Sequence, residues 1–224
     1  MNEQKKARYE QVANCIRDRK TLKVIGEPSE PVKFSGDTSE SQKFVREALR
    51  TAGCAPFHYD RNLNGLAEPW RVHVVEHELC REIARDMRDW FSDMKPTNKL
   101  PAMLAACGTL ALITWIPQTA EEIVDNDKRC DVNEEHLAAA AAMVQNFLLL
   151  LTAAGYGSYW SSGGQFRTVE MFRRLGIEPG EKLLAAVFIE FPESQSTDLD
   201  RLPGKNREKR SASTEWMRTV AKLS

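Results

Sequence analysis

Four basic side chains crowd one hydroxyl in "RDRKTLK", where Arg17, Arg19, Lys20 and Lys23 surround Thr21. Guanidinium and ammonium donors beside a short hydroxyl suit a phosphate group, which needs both charge and a directed hydrogen bond. A solvated helix end, favoured by the helix dipole, explains the same residues taken alone. A second basic run, "KNREKR", carries Lys205, Arg207 and Arg210 toward the other end of the chain. By itself it reads as a solvated tail or a weak nucleic-acid or localisation patch. Two such runs converging on one phosphate would each add charge-assisted hydrogen bonds of about 1.5–3 kcal/mol.

The third constellation is "GYGSYWSSGG", Gly155 to Gly164, directly after a strongly apolar segment. Glycines let a flat ligand approach the backbone, Ser161 and Ser162 offer small polar contacts, and Trp160 offers an aromatic wall. A helix cap and a turn account for Gly155 and Gly157, but less readily for Gly163 and Gly164. In "CAPFHYDRNLNGLAEPWRVHVV", Cys54 to Val75, a long polar loop containing His58 separates a helix exit from a valine-rich strand. His73 and His77 are four apart, yet His73 falls in the strand pattern, so helical metal-ligand geometry fails and no metal site is expected. His136, near a helix start, is expected on the surface. Patterns for a Ser-His-Asp triad, a nucleophile elbow, a dinucleotide fingerprint or a P-loop do not occur.

Composition narrows the class. The chain has 224 residues, 42 % hydrophobic and 28 % charged, which suits one compact domain, placed at residues 1–191, with a charged extension over 192–224. Thirty-one basic against 32 acidic residues leave a charge of −1, so no global field draws nucleic acid or an anionic membrane. Five dispersed cysteines without a C-x-x-C pair fit a reducing cytoplasm. The polar N-terminus lacks a secretory signal. The apolar stretch Leu137–Ala154 is broken by Gln145, Asn146 and Thr152 and reads as a buried helix rather than a membrane span.

The elements that must position these residues follow from periodicity. Tyr9, Val12 and Ile16 mark an opening amphipathic helix that delivers the first basic run. Ser39 and Gln42 have capping-box spacing ahead of a second helix that ends at Gly53. "WRVHVV" predicts a strand, Leu79 to Met94 a helix with an aromatic-rich face, and "TLALITWI" a strand covered on both faces. Asn133 is expected to cap the long apolar helix, Thr168–Leu175 to form a short helix closed by Gly176, and "KLLAAVFIEF" to form another buried strand. Helices and strands mix without strict alternation, so the class is α+β, a sheet covered by helices.

In order along the chain, Arg19-Lys20-Thr21, Ala55-Pro56 to Glu68-Pro69-Trp70, and "AAMVQNFLLLLTAAGYGSYW" resemble the nitroreductase family of flavoenzymes from about Cys15 to Phe191. "APFH" and "YWSSGG" look most like its short bacterial branch. The resemblance implies a central mixed sheet flanked by helices and a homodimer holding two FMN molecules at the subunit interface. It also implies NADH or NADPH as electron donor, small nitro-aromatic or quinone-like acceptors, and ping-pong turnover. Arg19, Lys20 and Thr21 match the family's FMN-contacting run, with Lys23 its usual following basic residue. His58 matches the histidine after "AP", and Trp160, Ser161 and Ser162, leading into Gly163, match the flavin segment. Lys205, Arg207 or Arg210 matches the basic residue that the family places on the phosphate, and the 192–224 extension is expected to pack on the dimer.

Three features depart from the family pattern: the long loop between Pro56 and Pro69, Glu68 where glutamine is common, and a missing glutamate after the central helix. The loop is expected to wall the flavin pocket, with His58, Tyr59 and Arg61 facing the ring or substrate. Catalysis on this reading rests with the flavin, and no protein group is assigned to bond making. Rival readings are another flavin reaction on the same scaffold (flavin reduction, dehalogenation or flavin breakdown), a flavin-binding protein without turnover, and a helical interaction protein.

Overall fold

The computed structural model of the chain describes residues 2–34, 36–194 and 198–221, so parts of the expected 192–224 extension lie outside the described residues. The main sheet has the strand order β2-β3-β5-β4, with β2 at Trp70–Glu76, β3 at Thr109–Trp115, β5 at Lys182–Glu190 and β4 at Gly157–Ser161. Side chains alternate across the pleat of its two central strands. Leu110, Leu112, Ala186 and Phe188 join one core, while Ala111, Ile113, Ala185, Val187 and Ile189 join the other. The first core is closed by α3 (His77–Trp90), α4 (Leu100–Ala106) and α6 (Val169–Leu175), the second by α2 (Ser39–Ala52) and α5 (Asn126–Ala153). Burial on both faces is why "TLALITWI" is apolar without a break. The α+β class stands. Each pair in the sheet is antiparallel, where a mixed sheet was expected.

A smaller two-stranded sheet pairs β1 (Leu22–Ile25) with β6 (Asp200–Pro203), Leu22 opposite Pro203 and Ile25 opposite Asp200. It joins the region after α1 (Glu3–Asp18) to the C-terminal segment. Helix α5 is long and apolar enough to cross a membrane by length and composition, but Met143, Phe147, Leu148 and Leu151 along it are buried in the second core.

Several local expectations change. Helix α5 begins at Asn126, with Asp125 accepting the Lys128 amide at 3.0 Å, seven residues before the expected cap. Asn133 sits inside the helix, where its side chain exchanges hydrogen bonds with the Gln118 backbone at 2.7 and 3.2 Å. His136 is 1 % exposed rather than a surface residue, because this early turn of α5 lies beneath the 54–69 loop. Helix α2 has no capping box: Asp37 accepts the Ser39 amide at 2.8 Å and Gln42 turns to His77. Helix α4 has no counterpart among the predicted elements, since seven apolar residues carry too little periodicity. Gly157 opens β4, and the "YWS" of the expected small-residue turn is an edge strand.

Candidate active site

Antiparallel pairing of β1 with β6 carries the N-terminal basic run onto the C-terminal one. Arg19 caps α1, its amide bonded to the Cys15 carbonyl at 3.0 Å, and Thr21 precedes β1. The Gly204 amide, just past β6, donates to the Thr21 carbonyl at 3.0 Å. A Cβ at position 204 would stand 2.8 Å from Thr21 Cβ, so glycine permits this contact. Beyond it, Arg207 donates to the backbone carbonyls of Arg17 and Arg19, locking the tail against the end of α1.

The result is a cleft of about 950 Å³ lined by Arg19, Lys20, Thr21, Lys23, Lys205, Arg207 and Arg210, together with Lys99, Tyr159 and Trp160. Among the described residues Glu208 is the one carboxylate on its wall. A smaller cavity of about 490 Å³ shares Arg19, Thr21 and Trp160 and adds Ser162, Gln145 and Leu148. Partial burial, then the nearby Arg210 and Arg207 guanidiniums, lower the Arg19 pKa from its ordinary value. Cations that repel one another in a concave, half-desolvated site are stabilised by an anion placed between them.

The opposite wall is β4. Trp160 packs on the second core and pairs with Val187. Ser161 is buried and its hydroxyl accepts the Gly163 amide at 3.1 Å, so it braces the turn and lines neither cavity. Ser162 is exposed, and its carbonyl accepts from Arg167. Gly163 has φ 100°, and a Cβ there would lie 2.3 Å from Leu183 Cδ2. Lys23 holds its ammonium 4.7 Å from the centre of the Tyr159 ring, a cation–π contact across the cleft.

Lys99, Tyr159 and Gln145 escaped the sequence reading. Tyr159 and Gln145 sit inside quoted motifs and could have been found there. Lys99 caps α4, and its one local signal is the Asn98–Pro101 stretch, in which the Asn98 side chain accepts the Leu100 amide at 2.9 Å ahead of a proline in the first helical turn.

The nitroreductase family profile matches residues 37–189. The chain belongs to the nitroreductase family. Solved structures agree in fold. A nitroreductase-like family protein from Bacillus cereus is 20 % identical with TM-score 0.59, covering 94 % of this chain and 96 % of that one. An FMN complex of a nitroreductase-type protein from Desulfovibrio desulfuricans is 18 % identical with TM-score 0.57, covering 95 % and 98 %. Nitroreductase CinD from Lactococcus lactis, solved with chloramphenicol, is 12 % identical with TM-score 0.54, covering 89 % and 98 %. No curated protein matches the sequence.

In this nitroreductase-family chain neither cavity is lined by a residue of the 54–69 loop. His58 lines neither cavity; it is exposed and lies against Tyr59, ring centres 4.5 Å apart. Arg61 turns inward within its own chain. It is 5 % exposed and makes a bidentate pair with Glu122 at 2.9 and 3.0 Å, because a guanidinium this buried needs a carboxylate. The loop tip is a small hairpin, Leu63 and Leu66 exchanging backbone bonds around Asn64-Gly65, both at positive φ. Arg71 braces its stem through the carbonyls of Glu68, Trp70 and Leu63.

Proposed function

We propose that this chain is an FMN-dependent oxidoreductase that uses NADH or NADPH to reduce small nitro-aromatic or quinone-like acceptors by a ping-pong mechanism. The observation that carries the reading is the meeting of both basic runs in one cleft around a half-buried, electrostatically crowded Arg19. That arrangement fits the phosphate of a flavin mononucleotide, with Arg19, Lys20, Lys205, Arg207 and Arg210 as charge partners and the Thr21 hydroxyl as a directed donor. Trp160, Ser162 and the backbone at Gly163 then border the ring. When bound, FMN supplies the redox chemistry, taking hydride from the nicotinamide and delivering electrons to the acceptor. Lys23 and Lys99 favour that electron uptake by holding positive charge against the cleft. The substrate proton comes from water, and no side chain is assigned as acid or base.

The reading includes a homodimer. Helix α1 buries no residue within the chain, leaving Tyr9, Val12 and Ile16 58 %, 58 % and 52 % exposed. Trp216, Met217 and Val220 of the C-terminal segment are also open. Apolar groups left in this number on two segments support a second subunit covering them. In the dimer the 54–69 loop, with His58 at its base, would complete the partner's flavin site, and residues 192–224 would act as an extension of the 1–191 domain reaching over the partner. The five unpaired cysteines support a cytoplasmic location.

The test is spectroscopic. Protein mixed with FMN and passed through a desalting column is expected to keep flavin absorbance, to lose it on anaerobic NADH or NADPH addition, and to regain it with a nitro-aromatic. Protein that leaves all flavin on the column at saturating FMN refutes the reading.

A further inference from the structure

A second groove opens beside the flavin cleft. It measures about 600 Å³ and is lined by Arg85, Arg88, Thr97, Asn98 and Lys99, with the 25–29 segment opposite. Lys99 lines both spaces. Lys23 and Ile25, two residues apart on β1 and therefore on one side of the strand, line the cleft and the groove respectively. Lys99, at the start of α4, therefore borders both spaces.

Among the described residues the groove's two arginines have no carboxylate partner. Arg85 and Arg88 are three apart on α3, on one helix face. Arg85 donates to the Arg81 carbonyl at 3.4 Å, and Arg88 to the Pro96 and Asn98 carbonyls at 3.3 and 3.4 Å. Among the described residues neither makes an ion pair, whereas Arg46, Arg61, Arg173, Arg174 and Arg201 all do. The carboxylate on the facing wall, Glu27, accepts from Ser29 instead.

We infer that this groove holds the 2′-phosphoadenosine arm of the donor, with Arg85 and Arg88 on the 2′-phosphate, so that NADPH is preferred to NADH. The inference rests on the flavin occupying the larger cleft, since the nicotinamide must reach the ring while the adenosine arm runs past Lys99. A donor without the 2′-phosphate leaves these cations solvated and gains little from the groove. The phosphate gains charge-assisted, forked hydrogen bonds from arginine.

The experiment uses FMN-loaded protein and two readouts. Calorimetric titration with adenosine 2′,5′-bisphosphate is expected to give binding about tenfold or more tighter than adenosine 5′-monophosphate, a difference that collapses in the Arg85→Gln/Arg88→Gln double variant. In steady-state turnover the NADPH-to-NADH ratio of kcat/KM is expected to exceed about ten and to fall about tenfold in that variant. Both arginines are exposed on a helix whose buried face is untouched, and flavin absorbance checks that each variant is folded and loaded. Equal binding of the two nucleotides, a parent ratio near one, or a ratio unmoved by the double substitution overturns the assignment. A chain that takes up no FMN overturns the flavin reading and this one with it, whereas a loaded chain indifferent to the 2′-phosphate overturns only the donor assignment.

Discussion

Arg19 stands at the point where desolvation and like charge act together. Its neighbours Arg207 and Arg210 approach from the far end of the sequence, and burial removes the water that would otherwise screen them. Arg19→Ala is expected to leave the fold intact and raise the FMN dissociation constant roughly 10–100-fold, read from quenching of flavin fluorescence. An unchanged constant would remove Arg19 from the phosphate. Gly163 and Gly176 make a matched pair for backbone strain, since both have positive φ but differ in surroundings. A Cβ at 163 meets Leu183 at 2.3 Å, and one at 176 meets nothing within 4 Å. Gly176→Ala is expected to cost about 1–2 kcal/mol and Gly163→Ala roughly 2–4 kcal/mol in urea unfolding. Equal costs would show that the Leu183 contact relaxes freely.

At the scale of elements, the early turns of α5 and the 54–69 loop are joined by groups whose charge matters. His136 faces the carbonyls of Ile116 and Tyr59 without a well-formed hydrogen bond, beside the Arg61–Glu122 pair. Burial first, then Arg61, lowers its pKa, against the raising effect of the carbonyls and Glu122. His77 is lowered too, by burial first and by Arg81. A histidine kept neutral in the fold gains its proton more readily when unfolded. Its contribution is therefore present above the ordinary value of about 6.5 and is lost as pH falls below it, by at most about 1.4 kcal/mol per pH unit and group. Glu181 adds a further loss at lower pH. Burial raises its pKa, but hydrogen bonds from His73 and Thr114 outweigh that and hold it below the usual carboxylate value, so its contribution fades below about 4.5. Melting temperature is expected to fall from pH 7 to pH 5, and His136→Gln to flatten that slope. A parent protein with a flat profile over this range would contradict the buried neutral histidine.

For the whole molecule, the unresolved energy lies on the surface. Helix α1 touches α5 through contacts such as the Cys15 thiol on the Leu149 carbonyl at 3.1 Å, yet its apolar stripe faces outward. The Val12→Asp/Ile16→Asp pair is expected to convert a dimer to a monomer in sedimentation and to reduce flavin retention with it. A parent that sediments as a monomer would refute the shared site. Within one chain His58 lines neither cavity.

The sequence by itself determined the α+β class, the doubly covered strands, the central helix and both basic runs, because apolar periodicity and local charge are written within a few residues. Family motifs added an expected role for the two runs. Only the tertiary structure decided that they meet, through β1–β6 pairing across most of the chain length, that Lys99 joins them, and that Arg61 and His136 are buried. The start of α5 was missed because its first turns are polar and are covered only by a distant loop, and α4 because it is too short to show a period. Contacts between residues far apart in sequence leave no local pattern, so burial of a charged or titratable group is a property of the packed chain.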